Sequence, residues 1–270
     1  MRAFHDVFGN GKTIIAMVHL HPLPGTPLYD AGKGMEAIVE AAREDLEALQ
    51  AAGVDAIMFG NENDRPYELS VDVASTTAMA YVIGSLKPKI RVPFGVNVLW
   101  DPRSTIALAA ATGAAFVREI FTGLYGSDMG LWEGRAAEAL RYARLVGRED
   151  LCLLYNVSAE FASSLDGRSL AERARSAVFS SLADAILVSG PMTGEAPPLE
   201  HLAAVKHALP DIPVLANTGV RHETVQDVLA IADGVIVGTA LKQDGVTWNA
   251  VDPIRSRAFV EKVREVEGGR

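Results

Sequence analysis

Four side chains that could move a proton or stabilise a charge lie at the ends of short apolar segments. His19 ends the segment TIIAMVH, Glu62 follows AIMFGN, Arg118 lies in FVREI, and Asn156 ends LCLLYN. Burial raises the pKa of a carboxyl group toward neutral pH, and an imidazole titrates near neutral pH without burial, so either group can act as a general acid or base. We therefore predict that His19, Glu62, Arg118 and Asn156 are catalytic.

Alternatives stay open for three of these residues. Glu62 is either a general base or the partner of Arg118 in a structural ion pair. His19 is either a proton shuttle or a buried histidine whose hydrogen bonds are satisfied. Arg118 and Glu119 are adjacent, so they point to opposite faces of a strand, and the sequence does not decide which one faces inward.

His19 and His21 are also the candidates for a metal site, because residues two apart on a strand share a face. The segment resembles the first-strand motif of amidohydrolase-type barrels. That family also needs histidines after the fifth and sixth strands and an aspartate after the eighth, where this chain has Asn156, Ser189 and Thr239. We predict no cofactor, and a divalent metal in a metal-dependent hydrolase is the alternative.

Glycine and hydroxyl residues end the last two apolar segments, ANTGV and GVIVGTALK. Glycine lets the backbone approach an anion, and free N–H groups beside a threonine hydroxyl can donate to phosphate oxygens. A tight turn is the alternative explanation for Gly238. With polar residues that follow other segments, these form the predicted substrate- or phosphate-binding set: Asn97, Ser189, Asn217, Thr218, Gly219, Gly238, Thr239 and Lys242.

The elements that would position these residues alternate between short apolar runs and amphipathic helices. Strands are predicted over residues 13–20, 56–63, 93–100, 116–120, 151–158, 185–190, 213–219 and 234–241. Helices are predicted over residues 35–52, 71–86, 102–111, 135–145, 169–182, 199–209, 223–231 and 253–266.

Eight strand–helix units predict an α/β fold, a single (β/α)8 TIM barrel that forms one domain over residues 1–270. An open, doubly wound sheet is the rival architecture, and eight complete units without a leftover strand favour closure. In this type of barrel the chemistry lies at the carboxyl ends of the strands, and phosphate sites use the loops after the seventh and eighth strands. The predicted residues should therefore meet at one mouth.

Composition bears on partners and location. The formal net charge of -9 disfavours binding to nucleic acid, and the chain has neither an apolar run of transmembrane length nor a basic amphipathic helix for membrane insertion. The single cysteine, Cys152, cannot form an intrachain disulfide, and the start of the chain lacks a secretory signal. We predict a cytoplasmic protein that forms a homo-oligomer.

Several segments resemble the signatures of the BtpA/SgcQ family. They are AMVHLHPLPGTPLY at residues 16–29, GSDMGLWEG, SGPMTG at 189–194, PVLANTGVRHETVQDVL, ADGVIVGTALKQDG and VDPIRSRAF. The positions carried over are His19, Pro22, Pro24, Gly25, Asp128, Gly130, Thr193, Gly194, Gly219, Gly238 and Lys242. The resemblance implies a TIM barrel. The family takes its name from a cyanobacterial factor needed to accumulate photosystem I, and other members resemble accessory proteins of sugar-phosphate utilisation operons.

The segment after the fifth predicted strand departs from this pattern. The resemblance leads us to expect an Asp-Val pair followed closely by Lys-His, whereas the chain has Asn156 at the aspartate position and Glu160-Phe161 in place of Lys-His. If the missing groups perform the family's chemistry, this member acts on a different substrate or has lost activity.

Three functions follow from these observations. The first is a lyase- or isomerase-type enzyme acting on a small phosphorylated metabolite, such as a sugar phosphate, held after the seventh and eighth strands. The second is a non-catalytic factor for photosystem I biogenesis, which predicts a large exposed apolar patch and a mouth without perturbed carboxylates. The third is the metal-dependent hydrolase that uses His19 and His21.

Overall fold

Parallel strands close into a barrel in the computed structural model, which describes residues 4–268. In chain order the strands are β1 (Thr13–His19), β2 (Ala56–Gly60), β3 (Phe94–Asn97), β4 (Phe116–Glu119), β5 (Leu124–Ser127), β6 (Gly130–Glu133), β7 (Cys152–Asn156), β8 (Ala162–Ser164), β9 (Ala185–Ser189), β10 (Val214–Asn217) and β11 (Gly234–Val237). Eight of them form the barrel in the order β1-β2-β3-β4-β7-β9-β10-β11, and β11 pairs with β1 to close it. The predicted (β/α)8 barrel is confirmed.

Helices follow the barrel strands and cover their outer faces. In chain order the helices are α1 (Phe4–Phe8), α2 (Gly34–Ala52), α3 (Val73–Leu86), α4 (Pro102–Thr112), α5 (Ala136–Leu145), α6 (Leu170–Ser181), α7 (Leu199–Ala208), α8 (Val225–Ile231) and α9 (Pro253–Gly268). Short 3₁₀ turns occupy Lys87–Lys89, Thr239–Leu241 and Gln243–Gly245. Across residues 4–268 the helices are too short or too polar to cross a membrane.

The periodicity of the sequence did not predict the first helix, α1. Its Phe4 is buried and packs on Phe8, with ring centroids 4.5 Å apart. Phe8 in turn meets Phe116 of β4 at 5.0 Å, within the cluster that fills the barrel interior. A five-residue helix carries too few turns to show an apolar face in sequence.

Between the strand predicted over residues 116–120 and the helix predicted over residues 135–145, the chain forms the hairpin β5–β6, to which β8 adds a third antiparallel strand. Tyr125 and Trp132 are cross-strand partners, and both are buried. Trp132 packs on Trp100 with ring centroids 5.1 Å apart, in an apolar cluster separate from the barrel interior. Unlike the barrel strands, the hairpin strands are mostly not buried, so they lack the continuous apolar run that marks a barrel strand in sequence.

Alternation along the strands divides the core into two layers and decides which polar residues face inward. On β1, Ile15 and Met17 fill the barrel interior, whereas Ile14, Ala16 and Val18 pack against the helices. Because of this period of two, His19, two residues after Met17, also points toward the barrel interior. On β4 the interior residue Phe116 places Arg118 inward and Glu119 outward, which settles the alternative left open by the sequence.

Candidate functional site

One cavity of about 430 Å³ lies at the carboxyl ends of the barrel strands. Eight residues of the predicted set line it: His19, Glu62, Arg118, Asn217, Thr218, Gly219, Gly238 and Thr239. The cavity therefore draws on β1, β2, β4, β10 and β11 or the loops that follow them. Parallel strands bring their carboxyl ends to one edge, which is why residues distant in sequence meet here.

His19 and Glu62 are buried together on one wall of this cavity. His19 Nε2 lies 3.8 Å from Glu62 Oε1. Burial lowers the pKa of His19 well below its ordinary value, and the positive charges of Lys242 and Arg118 lower it further. Burial raises the pKa of Glu62 to about 7, against the opposing effect of Arg118. His19 is therefore neutral at physiological pH, and Glu62 exchanges its proton near neutrality.

Glu62 Oε2 is buried and has no hydrogen-bond partner within the described chain. Buried polar atoms are normally satisfied, so this oxygen is available to a ligand in the cavity. A hydrogen bond with the Thr247 backbone opposes the lowering of the His19 pKa, and the role of His19 as a proton shuttle stays a prediction.

Two glycines make room for the pair. A Cβ at Gly60 would lie 2.5 Å from Glu62 Oε2, and one at Gly238 would lie 2.6 Å from His19 Cε1. A glycine at position 238 thus leaves space for the imidazole of His19. Gly219 adopts φ +68°, and the backbone of Glu195 and Ala196 packs directly against its Cα.

Arg118 reaches the mouth from β4 and is held by two amides. Its Nε donates to Asn97 Oδ1 and its Nη1 donates to Asn217 Oδ1, both at 3.0 Å. Behind it, Glu119 points outward and accepts a hydrogen bond of 2.9 Å from Thr105 Oγ1. Burial raises the pKa of Glu119 to about 8. The guanidinium is thus fixed in orientation while it faces the cavity.

Glu160 is a cavity residue that the predicted site omitted. Its Oε1 accepts a hydrogen bond from Asn217 Nδ2 and its Oε2 accepts one from Thr193 Oγ1, each at 3.2 Å. Burial raises the pKa of this carboxyl group, and Arg118 opposes the shift. The available signal was the departure from the family pattern, which falls on Glu160 itself.

Three predicted site residues hold other side chains and do not line the cavity: Asn97, Asn156 and Ser189. Asn97 binds Arg118, and Asn156 Nδ2 donates to Ser189 Oγ at 2.8 Å. Ser189 Oγ also accepts a bond of 2.6 Å from Asn217 Nδ2. The polar atoms of these residues thus bond to other parts of the protein, and the catalytic role of Asn156 and the substrate contacts of Asn97 and Ser189 stay predictions.

Lys242, which was predicted to bind the anion, does not line this cavity. It is buried, and its Nζ lies 2.5 Å from Asp45 Oδ2 on α2. Asp45 Oδ1 also accepts a hydrogen bond of 2.7 Å from the Val251 N–H. Lys242 therefore anchors the segment after β11 to α2.

His21 lies beyond the end of β1 and is exposed, unlike His19. Within residues 4–268, no group of three or more His, Cys, Asp and Glu side chains is arranged to hold a metal ion. An amidohydrolase-type metal site needs ligands in addition to His19 and His21, and the described residues place no such group around these two histidines.

Basic side chains that the sequence prediction omitted also line the cavity. Arg221 and His222, after β10, and Arg255 of α9 line it beside Gly238 and Thr239. Thr239 Oγ1 shares a hydrogen bond of 2.9 Å with Thr247 Oγ1. The cavity therefore combines arginine side chains, which can bind an anion, with buried groups that can transfer protons.

Known proteins resemble this chain over nearly its whole length. The sequence model of the BtpA family matches residues 10–265. The putative sgc region protein SgcQ of Escherichia coli (strain K12) is 46% identical over 261 residues, which cover 97% of each chain. The photosystem I biogenesis protein BtpA of Synechocystis sp. is 36% identical over 263 residues, covering 96% of this chain and 91% of that protein.

Solved structures with much lower identity share the fold. (S)-3-O-geranylgeranylglyceryl phosphate synthase from Thermoplasma acidophilum, in complex with sn-glycerol-1-phosphate, has a TM-score of 0.64 at 18% identity, covering 98% of this chain and 100% of that chain. Phosphoribosyl anthranilate isomerase from Thermus thermophilus has a TM-score of 0.57 at 15% identity, covering 94% and 99%. These structures support the barrel, and the sequence matches support a closer kinship: the chain belongs to the BtpA family.

Proposed function

We propose that this protein is an enzyme of the lyase or isomerase type that acts on a small phosphorylated metabolite such as a sugar phosphate. The observation that carries the proposal is that a proton-exchanging carboxyl group and basic side chains line the same cavity at the barrel mouth. Glu62, which exchanges a proton near neutral pH, faces the same space as Arg221 and Arg255. A volume of about 430 Å³ suits a small ligand.

The phosphate would bind between the loops after β10 and β11. Backbone N–H groups near Gly219 and Gly238, the Thr239 hydroxyl and the two arginines are the available donors. The synthase solved with sn-glycerol-1-phosphate and phosphoribosyl anthranilate isomerase are named for phosphorylated compounds and share this fold. The shared fold agrees with a phosphorylated substrate. It does not indicate which reaction is catalysed, because one fold hosts many reactions.

Proton transfer would use Glu62, with His19 and Arg118 beside the substrate. Glu62 acts as general acid or base because its pKa of about 7 allows both forms near neutral pH. Neutral His19, whose Nε2 lies 3.8 Å from Glu62 Oε1, also lines the cavity and would hydrogen-bond to a substrate hydroxyl. Arg118 stabilises negative charge that develops on a substrate oxygen.

The alternative of a non-catalytic photosystem I biogenesis factor predicts a mouth without perturbed carboxylates. Glu62 and Glu160 are both buried there, and burial raises the pKa of each. Keeping two carboxyl groups in such surroundings opposes folding, which favours a chemical role. Cytoplasmic location and homo-oligomer formation stay predictions.

Isothermal titration with dihydroxyacetone phosphate, D-ribulose 5-phosphate and D-fructose 6-phosphate tests the proposal, with the unphosphorylated ketoses as comparison. We expect the phosphorylated compounds to bind more tightly, and Arg255→Gln to weaken their binding by about tenfold or more. Arg257→Gln is the matched control, because Arg257 is an exposed residue of the same helix that does not line the cavity. Failure of the folded protein to bind any of the three phosphates would contradict the proposal.

A further inference from the structure

We propose that Glu160 and Glu62 are the base and the acid of a carbon-proton transfer, and that the substrate carries a carbonyl next to a carbon bearing hydrogen and hydroxyl. This is the arrangement in aldose and ketose phosphates. The inference rests on the proposed function and narrows its reaction class to isomerisation.

The two carboxyl groups reach the cavity from different walls. Glu62 follows β2, and Glu160 follows β7, which lies three strands further round the barrel. Arg118 projects from β4, between those strands, and its positive charge acts on both carboxyl groups. A substrate held between the walls therefore has a carboxyl group on each side and a guanidinium beside its oxygens.

Hydrogen bonds distinguish the two groups. Glu160 accepts bonds from Thr193 Oγ1 and Asn217 Nδ2, which stabilise its charged form. Glu62 Oε2 has no hydrogen-bond partner in the described chain. Negative charge on Glu160 also raises the pKa of Glu62. Glu160 is therefore the ionised member and Glu62 holds the proton, because two nearby carboxyl groups do not both ionise readily.

This distribution sets the direction of the transfers. The Glu160 carboxylate takes the hydrogen of the hydroxyl-bearing carbon as a proton, and the electrons of that C–H bond form a carbon–carbon double bond. The electrons of the carbonyl double bond move to its oxygen, which receives the proton of Glu62, giving a neutral enediol. Return of the proton from Glu160 to the former carbonyl carbon, with removal of the other hydroxyl proton by Glu62, yields the isomer and restores both groups.

The lining of the cavity supports isomerisation over a lysine-dependent lyase. Among residues 4–268, no lysine lines this cavity, and Lys242 is paired with Asp45. A Schiff base with the substrate carbonyl thus has no amine in reach, whereas two proton carriers are present. Isomerisation needs no further reactant.

Hydrogen exchange in D₂O tests the proposal. Dihydroxyacetone phosphate, D-ribulose 5-phosphate and D-fructose 6-phosphate are incubated with the protein, and loss of the carbon-bound hydrogen next to the carbonyl is followed by proton NMR. We expect exchange with at least one compound, and we expect Glu160→Gln and Glu62→Gln each to slow it by about 100-fold or more. Glu200→Gln, at an exposed carboxylate on α7, should exchange at the wild-type rate.

Circular dichroism and isothermal titration on each variant keep the outcome interpretable. We expect both glutamine variants to fold and to retain binding of the phosphorylated compound, since neither carboxyl group is among the proposed phosphate donors. Binding by the wild type without exchange of any compound would overturn this proposal and leave the proposed function standing, as would wild-type exchange rates in both variants. Absence of binding by the wild type would overturn the proposed function and this inference together.

Discussion

Asn217 Oδ1 accepts a hydrogen bond of 3.0 Å from Arg118 Nη1, which joins β10 to β4 across the mouth of the barrel. The Nδ2 of the same amide donates to Ser189 Oγ and to Glu160 Oε1. One buried side chain thus orients the cation and one of the carboxylates of the candidate site. Loss of this amide affects both groups, because charged groups in a buried site depend on their hydrogen bonds.

Asn217→Ala should lower the free energy of unfolding by about 1–3 kcal/mol, since it removes the shared partner of Arg118, Ser189 and Glu160. Urea denaturation followed by circular dichroism measures the change. Asn10→Ala, at an exposed position, is the control and should stay within about 0.5 kcal/mol of the wild type. Equal stabilities of the two variants would show that the Asn217 contacts do not bear on folding.

Gly238→Ala should lower stability by about 1–3 kcal/mol, because the new methyl group would lie 2.6 Å from His19 Cε1 and displace the imidazole. We also expect weaker binding of D-ribulose 5-phosphate in the titration described above. Gly84→Ala is the matched control: Gly84 lies inside α3 and has no atom near its Cβ position. This control should stabilise the protein by about 0.5–1 kcal/mol, as alanine does within a helix.

Glu119→Gln should change how stability depends on pH. The pKa of Glu119 is about 8 in the folded protein against an ordinary value of 4.5, so between these values the folded state holds a proton that the unfolded state has released. The stability of the wild type relative to Glu119→Gln should therefore be highest below about pH 4.5 and fall as pH rises toward 8, by at most about 1.4 kcal/mol per pH unit.

Urea denaturation of both proteins at pH 5, 6, 7 and 8 checks this dependence. Comparing the two proteins cancels the contributions of His19 and the other titrating groups, which both share. Glu149→Gln removes an exposed carboxyl group, and its difference from the wild type should vary little over the same range. A difference for Glu119→Gln that grows in favour of the wild type with rising pH would contradict the expected sign.

Lys242→Met should lower stability by about 3–5 kcal/mol, because it leaves Asp45 buried without its cation. Lys33→Met, in the exposed pair with Asp30, should cost no more than about 1 kcal/mol. The affinity of Lys242→Met for D-ribulose 5-phosphate should equal that of the wild type, measured where the variant is fully folded. A large loss of affinity would contradict this expectation and would indicate that Lys242 contributes to anion binding.

Sequence periodicity was sufficient to predict the barrel, because each strand and helix is a local pattern and eight alternating units leave few ways to arrange them. The same pattern, with the rule that parallel strands gather their carboxyl ends at one edge, was sufficient to predict His19, Glu62, Arg118 and Asn217 at one mouth. Resemblance of the terminal motifs identified the family, which the sequence comparisons confirm.

Tertiary structure alone decided which polar groups remain available at that mouth. Arg118 and Asn217 are 99 residues apart, and no local pattern shows that this pair faces the cavity. Lys242 and Asp45 are 197 residues apart, and no local pattern shows that they bind each other and not a ligand. Glu160 enters the cavity from a loop, where side-chain direction follows no period. The chemical role of a side chain depends on its partners and its burial, and both are set by contacts between distant segments.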